Sequence, residues 1–230
     1  MAEMALGYGS EYQLLRYMGH HRNYLDSQIK KVTKSESPIE WMDYPVDEHR
    51  DSLDGEWTGI SFLQHIRCDD YNRISVEWKK FWPQGGRAQS WDGIFQQDGI
   101  IYVVEAKAHI LEMEQDCQAG SESREIIEKA FQQVTNDYEK AQLWLNSKHY
   151  QLANRVAFVH FLNSNGIKAK LCYVMFTNGY LLNATKNVDS EEKFKLAFEE
   201  ECKKLELGQK ERDYIVSVVI DAKFDGILNK

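Results

Sequence analysis

Residues 100–109 read IIYVVEAKAH, and this stretch is the strongest indication of the fold. Its first five residues are all apolar, which is typical of a central strand covered on both faces of a sheet. Glu105 and Lys107 follow two residues apart, so a strand points both side chains to the same face. Burying a carboxylate and an ammonium is unfavourable unless they pair or meet a metal ion. These two residues are therefore the first candidates for a functional site.

A hairpin is predicted immediately before that strand. Residues 90–97 have the character of a short strand, and Asp98-Gly99 is a strong signal for a two-residue hairpin turn. Counting outward from such a turn pairs Gln97 with Ile100, and Asp92 with Glu105. Two carboxylates then come within reach of one cation.

The remaining patterns predict a mixed α/β sheet with helices packed on it, an α+β arrangement. Apolar residues at helical spacing predict helices over residues 11–32, 122–146 and 189–205. Further strands are predicted over residues 73–82, 155–162, 168–177 and 214–222. The glutamates of the last helix are interpreted as a solvated face.

The chemistry of the predicted pair points to a divalent cation. Two carboxylates, a backbone oxygen and water suit Mg²⁺ or Mn²⁺, which are hard ions that keep several waters. Such an ion lowers the pKa of a bound water and stabilises charge on a phosphate. Lys107, on the same face as Glu105, can orient or deprotonate that water, or neutralise the phosphorane. A structural salt bridge between Glu105 and Lys107 is the alternative interpretation.

An Asp at the start of one hairpin strand, followed by Glu-x-Lys in the next, resembles the PD-(D/E)xK nuclease superfamily, the restriction-endonuclease-like fold. Here the motif reads WDGI over residues 91–94 and VVEAK over residues 103–107. The resemblance implies that Asp92, Glu105 and the carbonyl of Ala106 bind metal, and that Lys107 assists the hydrolytic water. The proline that precedes the Asp in the family signature is replaced by Trp91.

The resemblance also implies an architecture. The predicted order of helix, three strands, helix and strand is similar to the αβββαβ core of the family, and it covers about residues 11–162. Residues 163–230 are expected to extend the sheet and add a helix. At 230 residues and 43% hydrophobic content, one domain over residues 1–230 is the expectation.

Four further residues are weaker candidates. Members of the family often place an acidic residue on the first core helix, facing the metal, and Glu11 fits that place. A first-turn glutamate that stabilises the helix dipole is the equal alternative. Gln133 is the chosen polar residue on the helix after Glu-x-Lys, although surface glutamines are common. Arg87, in a Gly-Gly-Arg turn, and His109, on the Glu105–Lys107 face, are candidates for substrate binding or ordinary solvated residues.

Composition limits the function classes. The formal net charge is −8, which counts mildly against nucleic-acid binding because phosphate-binding proteins tend to be basic. The chain has no apolar run of about 18 residues, so no membrane span is expected. Its N-terminus lacks the pattern of a signal peptide. The four scattered cysteines predict reduced thiols in a cytoplasmic protein rather than a zinc site.

The sequence thus predicts a Mg²⁺- or Mn²⁺-dependent nuclease, with DNA as the expected substrate and a homodimer as one possible assembly. A catalytically silent nuclease-like module that binds nucleic acid or protein is the main alternative. A hydrolase of a smaller phosphate ester on the same site is a third hypothesis.

Overall fold

The computed structural model of the chain describes residues 9–42, 56–85, 88–178 and 190–222. The strands in these ranges are β1 (Glu40–Trp41), β2 (Trp57–Thr58), β3 (Ser90–Trp91), β4 (Gly93–Gln97), β5 (Ile100–Lys107), β6 (Ala169–Thr177) and β7 (Ile215–Asp221). Five of them form a mixed sheet in the order β1-β4-β5-β6-β7, and β2 pairs with β3 separately. The predicted α/β class with a mixed sheet is confirmed.

The helices surround this sheet. They are α1 (Gly9–His20), α2 (Arg22–Thr33), α3 (Ser61–His65), α4 (Tyr71–Phe81), α5 (Ser121–Thr135), α6 (Tyr138–Asn146), α7 (Tyr150–Ser164), α8 (Glu191–Lys204) and α9 (Gln209–Arg212), with a 3-10 turn at Ile110–Met113. Within the described ranges, no helix has both the length and the apolar character needed to cross a membrane.

The hairpin that positions the site has the predicted register. Asp98 and Gly99 have φ angles of 53° and 69°, the positive values that a type I′ turn requires at both central positions. Gln97 consequently pairs with Ile100, and Gly93 with Val104. The next step of this register places Asp92 opposite Glu105, as counted from the sequence.

The central strand β5 is covered on both faces, as its apolar run predicts. It pairs antiparallel with β4 and parallel with β6. Ile101 and Val103 belong to the large core shared with α5, α6 and α7, whereas Tyr102 and Val104 belong to the core under α1 and α2. Glu105 and Lys107 point to the same face of β5 as Ile101 and Val103, so they lie on the α7 side.

Two predicted strands are wrong. Residues 73–82 form most of α4, because Ile74, Trp78 and Phe81 are buried at helical spacing while Val76 remains exposed. Residues 155–162 lie within α7, a helix buried on nearly all sides, and such a helix lacks the one-sided apolar pattern that marks a surface helix. The strand that follows these helices and pairs with β5 is β6 (Ala169–Thr177), which begins beyond residue 162, the predicted end of the core.

Other boundaries differ in detail. The helix predicted over residues 11–32 is divided into α1 and α2 at His21. The one predicted over residues 122–146 is interrupted at Asn136, which adopts φ 53° and ends α5 in the left-handed conformation. Asp137 then caps α6, its Oδ1 accepting a hydrogen bond from the Lys140 N–H at 3.1 Å. The predicted strands over residues 168–177 and 214–222, and the helix over 189–205, correspond to β6, β7 and α8.

Candidate active site

Asp92 lies at the bend between β3 and β4, where two strand registers meet. The β4–β5 register places it opposite Glu105, and the β2–β3 pairing of Trp57 with Trp91 places Glu56 on its other side. Asp92 Oδ2 accepts a hydrogen bond from the Ala106 N–H at 2.7 Å. Because a strand residue directs its N–H and C=O towards the same neighbour, the Ala106 carbonyl also points to the Asp92 side.

Glu105 is held between two cations. Its Oε1 accepts a hydrogen bond from Lys107 Nζ at 2.5 Å, and its Oε2 accepts one from Arg155 Nε at 2.7 Å. The exposed fractions are 2% for Glu105, 5% for Lys107 and 7% for Arg155. Glu105 and Lys107 share one face, as predicted, and they also form the salt bridge of the alternative interpretation, in a buried cluster of three charges.

Arg155 was not predicted as part of the site, since residues 155–162 were interpreted as a strand. It lies on α7 and also donates from Nη2 to the Ser90 carbonyl at 3.0 Å. Its guanidinium stands over the Trp91 ring, 4.7 Å from the centroid. The available signal was a lone arginine at the start of the apolar run VAFV, because a charged residue in a buried segment needs a partner.

Gln151, also on α7, is the second residue that the sequence did not single out. Its Oε1 accepts a hydrogen bond from Lys107 Nζ at 2.7 Å. The amide that contacts Lys107 is therefore on α7, whereas the predicted Gln133 is on α5. Gln133 is exposed on α5, where it lines a shallow groove with Phe81 and His160.

The two carboxyl groups have opposite electrostatic environments. Burial raises the pKa of Asp92 to about 8, and the nearby Glu105 and Glu56 charges contribute in the same direction. Burial alone would also raise the pKa of Glu105, but the Arg155 and Lys107 cations outweigh it and hold that pKa below its ordinary value. At neutral pH, Glu105 is therefore ionised while Asp92 is mostly protonated.

Glu11 and Glu56 extend the acidic group beyond the pair. Glu11 is exposed in the first turn of α1, and burial followed by the charge of Glu56 raises its pKa. Glu56 also contributes to the raised pKa of Asp92, so one glutamate couples Glu11 to the site electrostatically. Glu56 was not predicted, since it falls in a stretch that reads as a loop.

The donor set fits a hard divalent cation in its chemistry. Among the described residues, no group of three or more His, Cys, Asp or Glu side chains is arranged to hold a metal ion. The oxygen atoms that could hold such an ion are those of Asp92, Glu105 and the Ala106 carbonyl, with water completing the shell, as proteins commonly hold Mg²⁺. Burial, followed by repulsion from Glu105, raises the pKa of Asp92, and a bound cation would offset both effects.

A second buried polar group lies next to the first. Glu201 on α8 accepts a hydrogen bond at Oε2 from the hydroxyl of Tyr173, the residue paired with Glu105 across β5 and β6. Its Oε1 lies 3.6 Å from Nδ1 of buried His149. Burial raises the pKa of Glu201, whereas His149 and Lys107 lower it. Glu201 is thus an exception to the solvated face predicted for the glutamates of this helix.

The two remaining candidates are Arg87 and His109. Arg87 lies outside the described residues. His109 precedes the 3-10 turn, and its Nδ1 accepts a hydrogen bond from the Leu111 N–H at 3.0 Å. This capping contact gives His109 a structural role.

A half-open cleft of about 450 Å³ adjoins the buried charges. Gln151 and Arg155 form part of its wall, together with residues that precede and begin α5. A ligand in this cleft would lie directly beside the side chains that hold Lys107 and Glu105.

Comparisons of the chain with protein-family models, with curated proteins and with solved structures find no match.

Proposed function

We propose that this chain is a Mg²⁺- or Mn²⁺-dependent nuclease that hydrolyses phosphodiester bonds in DNA. The observation that carries the proposal is the placement of Asp92 against the Glu105–Lys107 strand, where Asp92 Oδ2 contacts the Ala106 N–H and its pKa is raised to about 8. Adjacent carboxylates with a lysine on the same face form a site suited to metal-assisted hydrolysis.

Asp92, Glu105 and the Ala106 carbonyl would hold the ion, and Glu56 or Glu11 would add negative charge nearby. When bound, a divalent cation supplies Lewis-acid stabilisation of the phosphate and lowers the pKa of a bound water. Asp92 must lose its proton to act as a ligand, so binding of the ion is expected to be coupled to proton release.

Lys107 is the residue proposed to act on the substrate. Two of its three N–H donors are directed to Glu105 and Gln151. An ammonium has three donors, so one remains for a phosphate oxygen or the attacking water. Because Glu105 and Gln151 fix Nζ in place, the charge is preorganised where negative charge develops in the reaction.

The proposed setting is cytoplasmic. All four cysteines, Cys68, Cys117, Cys172 and Cys202, are free thiols, as expected in a reducing compartment. A homodimer is proposed only as the assembly that would cut both strands of a duplex, and light scattering of the purified protein measures it.

The test is a cleavage assay with Mn²⁺ on linear, circular and single-stranded DNA, and on a small phosphodiester. Asp92→Asn and Lys107→Met are expected to reduce cleavage about 100-fold or more, because the first removes a proposed metal ligand and the second removes the cation proposed to act on the substrate. Asp70→Asn is the matched control, since Asp70 is an exposed carboxylate paired with nearby Arg73. DNA cleavage that survives Asp92→Asn would contradict the proposal, as would turnover of the small ester alone.

One observation favours a catalytically silent module instead. Both oxygens of Glu105 already accept hydrogen bonds from cations, so a metal ion must share them with Lys107 and Arg155. For a silent module, Mn²⁺ would not bind, and Lys107→Met would retain DNA binding. Measuring DNA binding and Mn²⁺ binding on the same samples separates the two functions.

A further inference from the structure

The cleft beside the site is built from the chain segments that hold the charged cluster. Gln151 and Arg155 line it, and these residues hydrogen-bond Lys107 and Glu105 respectively. Its volume of about 450 Å³ is enough for a group the size of one nucleotide. Whatever occupies the cleft is therefore placed next to the proposed reaction centre.

The walls of the cleft carry amide and aromatic groups. Gln89, Asn154 and Gln118 supply amides, and Trp82 and Tyr150 supply aromatic rings. Amides offer both donors and acceptors, as the edge of a nucleobase does, and aromatic rings offer flat apolar contact.

Two of these amides form a buried unit. Gln89 Nε2 donates to Asn154 Oδ1, and the Asn154 amide in turn lies near the Tyr150 hydroxyl at 3.4 Å. Within the described part of the chain, the buried Gln89 Oε1 has no hydrogen-bond partner. A buried acceptor without a donor is unfavourable, so turning this amide towards a ligand N–H would satisfy it.

The charge of the lining argues against a phosphate pocket. The charged side chains among its described residues are Arg155 and Asp116. The Arg155 guanidinium is already directed to Glu105 and to the Ser90 carbonyl. A neutral, flat group with donors and acceptors matches this lining better than an anion does.

We propose that this cleft binds one unpaired nucleobase next to the scissile phosphate, so that the substrate is a single strand or carries an unpaired nucleotide at the cut. This inference rests on the proposed nuclease function. A base inside a duplex has its hydrogen-bonding edge occupied and its faces stacked, so it must leave the stack to enter such a cleft.

The test measures binding without cleavage. Fluorescence anisotropy in EDTA compares a labelled oligothymidylate with a blunt hairpin duplex of the same length, and unlabelled dTMP serves as competitor. Ser123→Trp and Gln118→Trp fill the cleft from two of its partly or fully exposed lining positions. Ser121→Trp is the matched control, because Ser121 is exposed on the same helix and does not line the cleft.

The wild type is expected to bind the single strand at least tenfold more tightly than the duplex. Both cleft variants should lose at least tenfold in single-strand affinity, and Ser121→Trp should stay within twofold of the wild type. Equal affinity for the duplex, unchanged affinity in both folded cleft variants, or dTMP binding as tight as that of the strand would each overturn the inference.

A parallel Mn²⁺ cleavage assay separates this inference from the proposed function. If duplex and single strand are cut equally and Ser123→Trp cuts as the wild type does, the cleft proposal fails while the nuclease proposal stands. If the binding differences appear without cleavage, the nuclease proposal fails and the cleft remains a base-binding site.

Discussion

At the residue scale, Asp92 and Glu105 show how neighbours decide protonation. Glu105 is buried and has two cations, Lys107 and Arg155, within hydrogen-bond distance. Asp92 accepts a hydrogen bond from the Ala106 N–H, and burial together with the charges of Glu105 and Glu56 raises its pKa. Glu105 therefore keeps its charge, and Asp92 retains a proton until mildly alkaline pH.

The raised pKa of Asp92 predicts a pH-dependent stability in the absence of metal. The folded state holds the Asp92 proton up to about pH 8, while an unfolded chain releases it near 3.8. Between these values the folded state binds more protons, so its stability falls as the pH rises. Asp92 keeps some solvent exposure, and water screens part of this effect. We therefore expect the free energy of unfolding to fall by about 2 kcal/mol as the pH rises.

Urea unfolding at pH 5 and pH 8.5 in EDTA measures this effect. Asp92→Asn should remove the pH-dependent difference and be more stable than the wild type at pH 8.5. A variant that is less stable than the wild type at both pH values would contradict the account of Asp92.

Arg155 is predicted to be essential for the buried cluster. Arg155→Leu removes one of the two cations that hold Glu105, and breaking a buried pair in this way costs about 3–5 kcal/mol. Arg73→Leu is the matched control, because Arg73 pairs with Asp70 at the surface and exposed pairs contribute about 0–1 kcal/mol. Denaturant unfolding of both variants checks the difference, and equal losses would show that Arg155 has no special role.

At the element scale, the β4–β5 hairpin brings the site together and α7 completes it. The hairpin was predictable because its signals are local: a turn at Asp98-Gly99 and an apolar run directly after it. Strand alternation then determined that Glu105 and Lys107 share a face. These features needed no knowledge of distant parts of the chain.

Two helices, α4 and α7, were mispredicted as strands, each for its own physical reason. In α4, the residues Ile74, Val76 and Trp78 alternate as a strand would, and only burial distinguishes the helix. In α7, burial on nearly all sides removes the helical period from the sequence. Arg155 and Glu56 were missed because they reach Glu105 and Asp92 through contacts across about 50 and 36 residues of chain.

A substitution at Gly59 tests whether the two-stranded ribbon formed by β2 and β3 positions Glu56 and Trp91. It has φ +50°, and an added Cβ would lie 3.3 Å from Trp78 Nε1. Its carbonyl also accepts a hydrogen bond from Trp91 Nε1 at 2.8 Å. We expect Gly59→Ala to destabilise the protein by about 1–2 kcal/mol through backbone strain and crowding.

The matched control for Gly59 is Gly85→Ala, since a Cβ at Gly85 meets nothing within 4 Å and its φ is not positive. Thermal unfolding of both variants measures the effect. If Gly59→Ala unfolds at the same temperature as Gly85→Ala, the ribbon does not constrain the site.

At the scale of the whole molecule, the central sheet separates two cores, and the candidate site lies at one end of β5. Glu105 and Lys107 face α7, α1 covers the opposite face, and Asp92 lies at the bend that precedes β4. The net charge of −8 makes a large basic surface an unsuitable explanation for nucleic-acid binding. The proposed nuclease function depends on the local site and on a divalent cation.

Calorimetric titration with Mn²⁺ near pH 7, in two buffers of different ionisation enthalpy, tests this claim most directly. We predict one binding site per chain, release of about one proton as Asp92 ionises, and loss of both signals in Asp92→Asn but not in the exposed control Glu191→Gln. Absence of Mn²⁺ binding, or binding that Asp92→Asn leaves unchanged, would contradict the account.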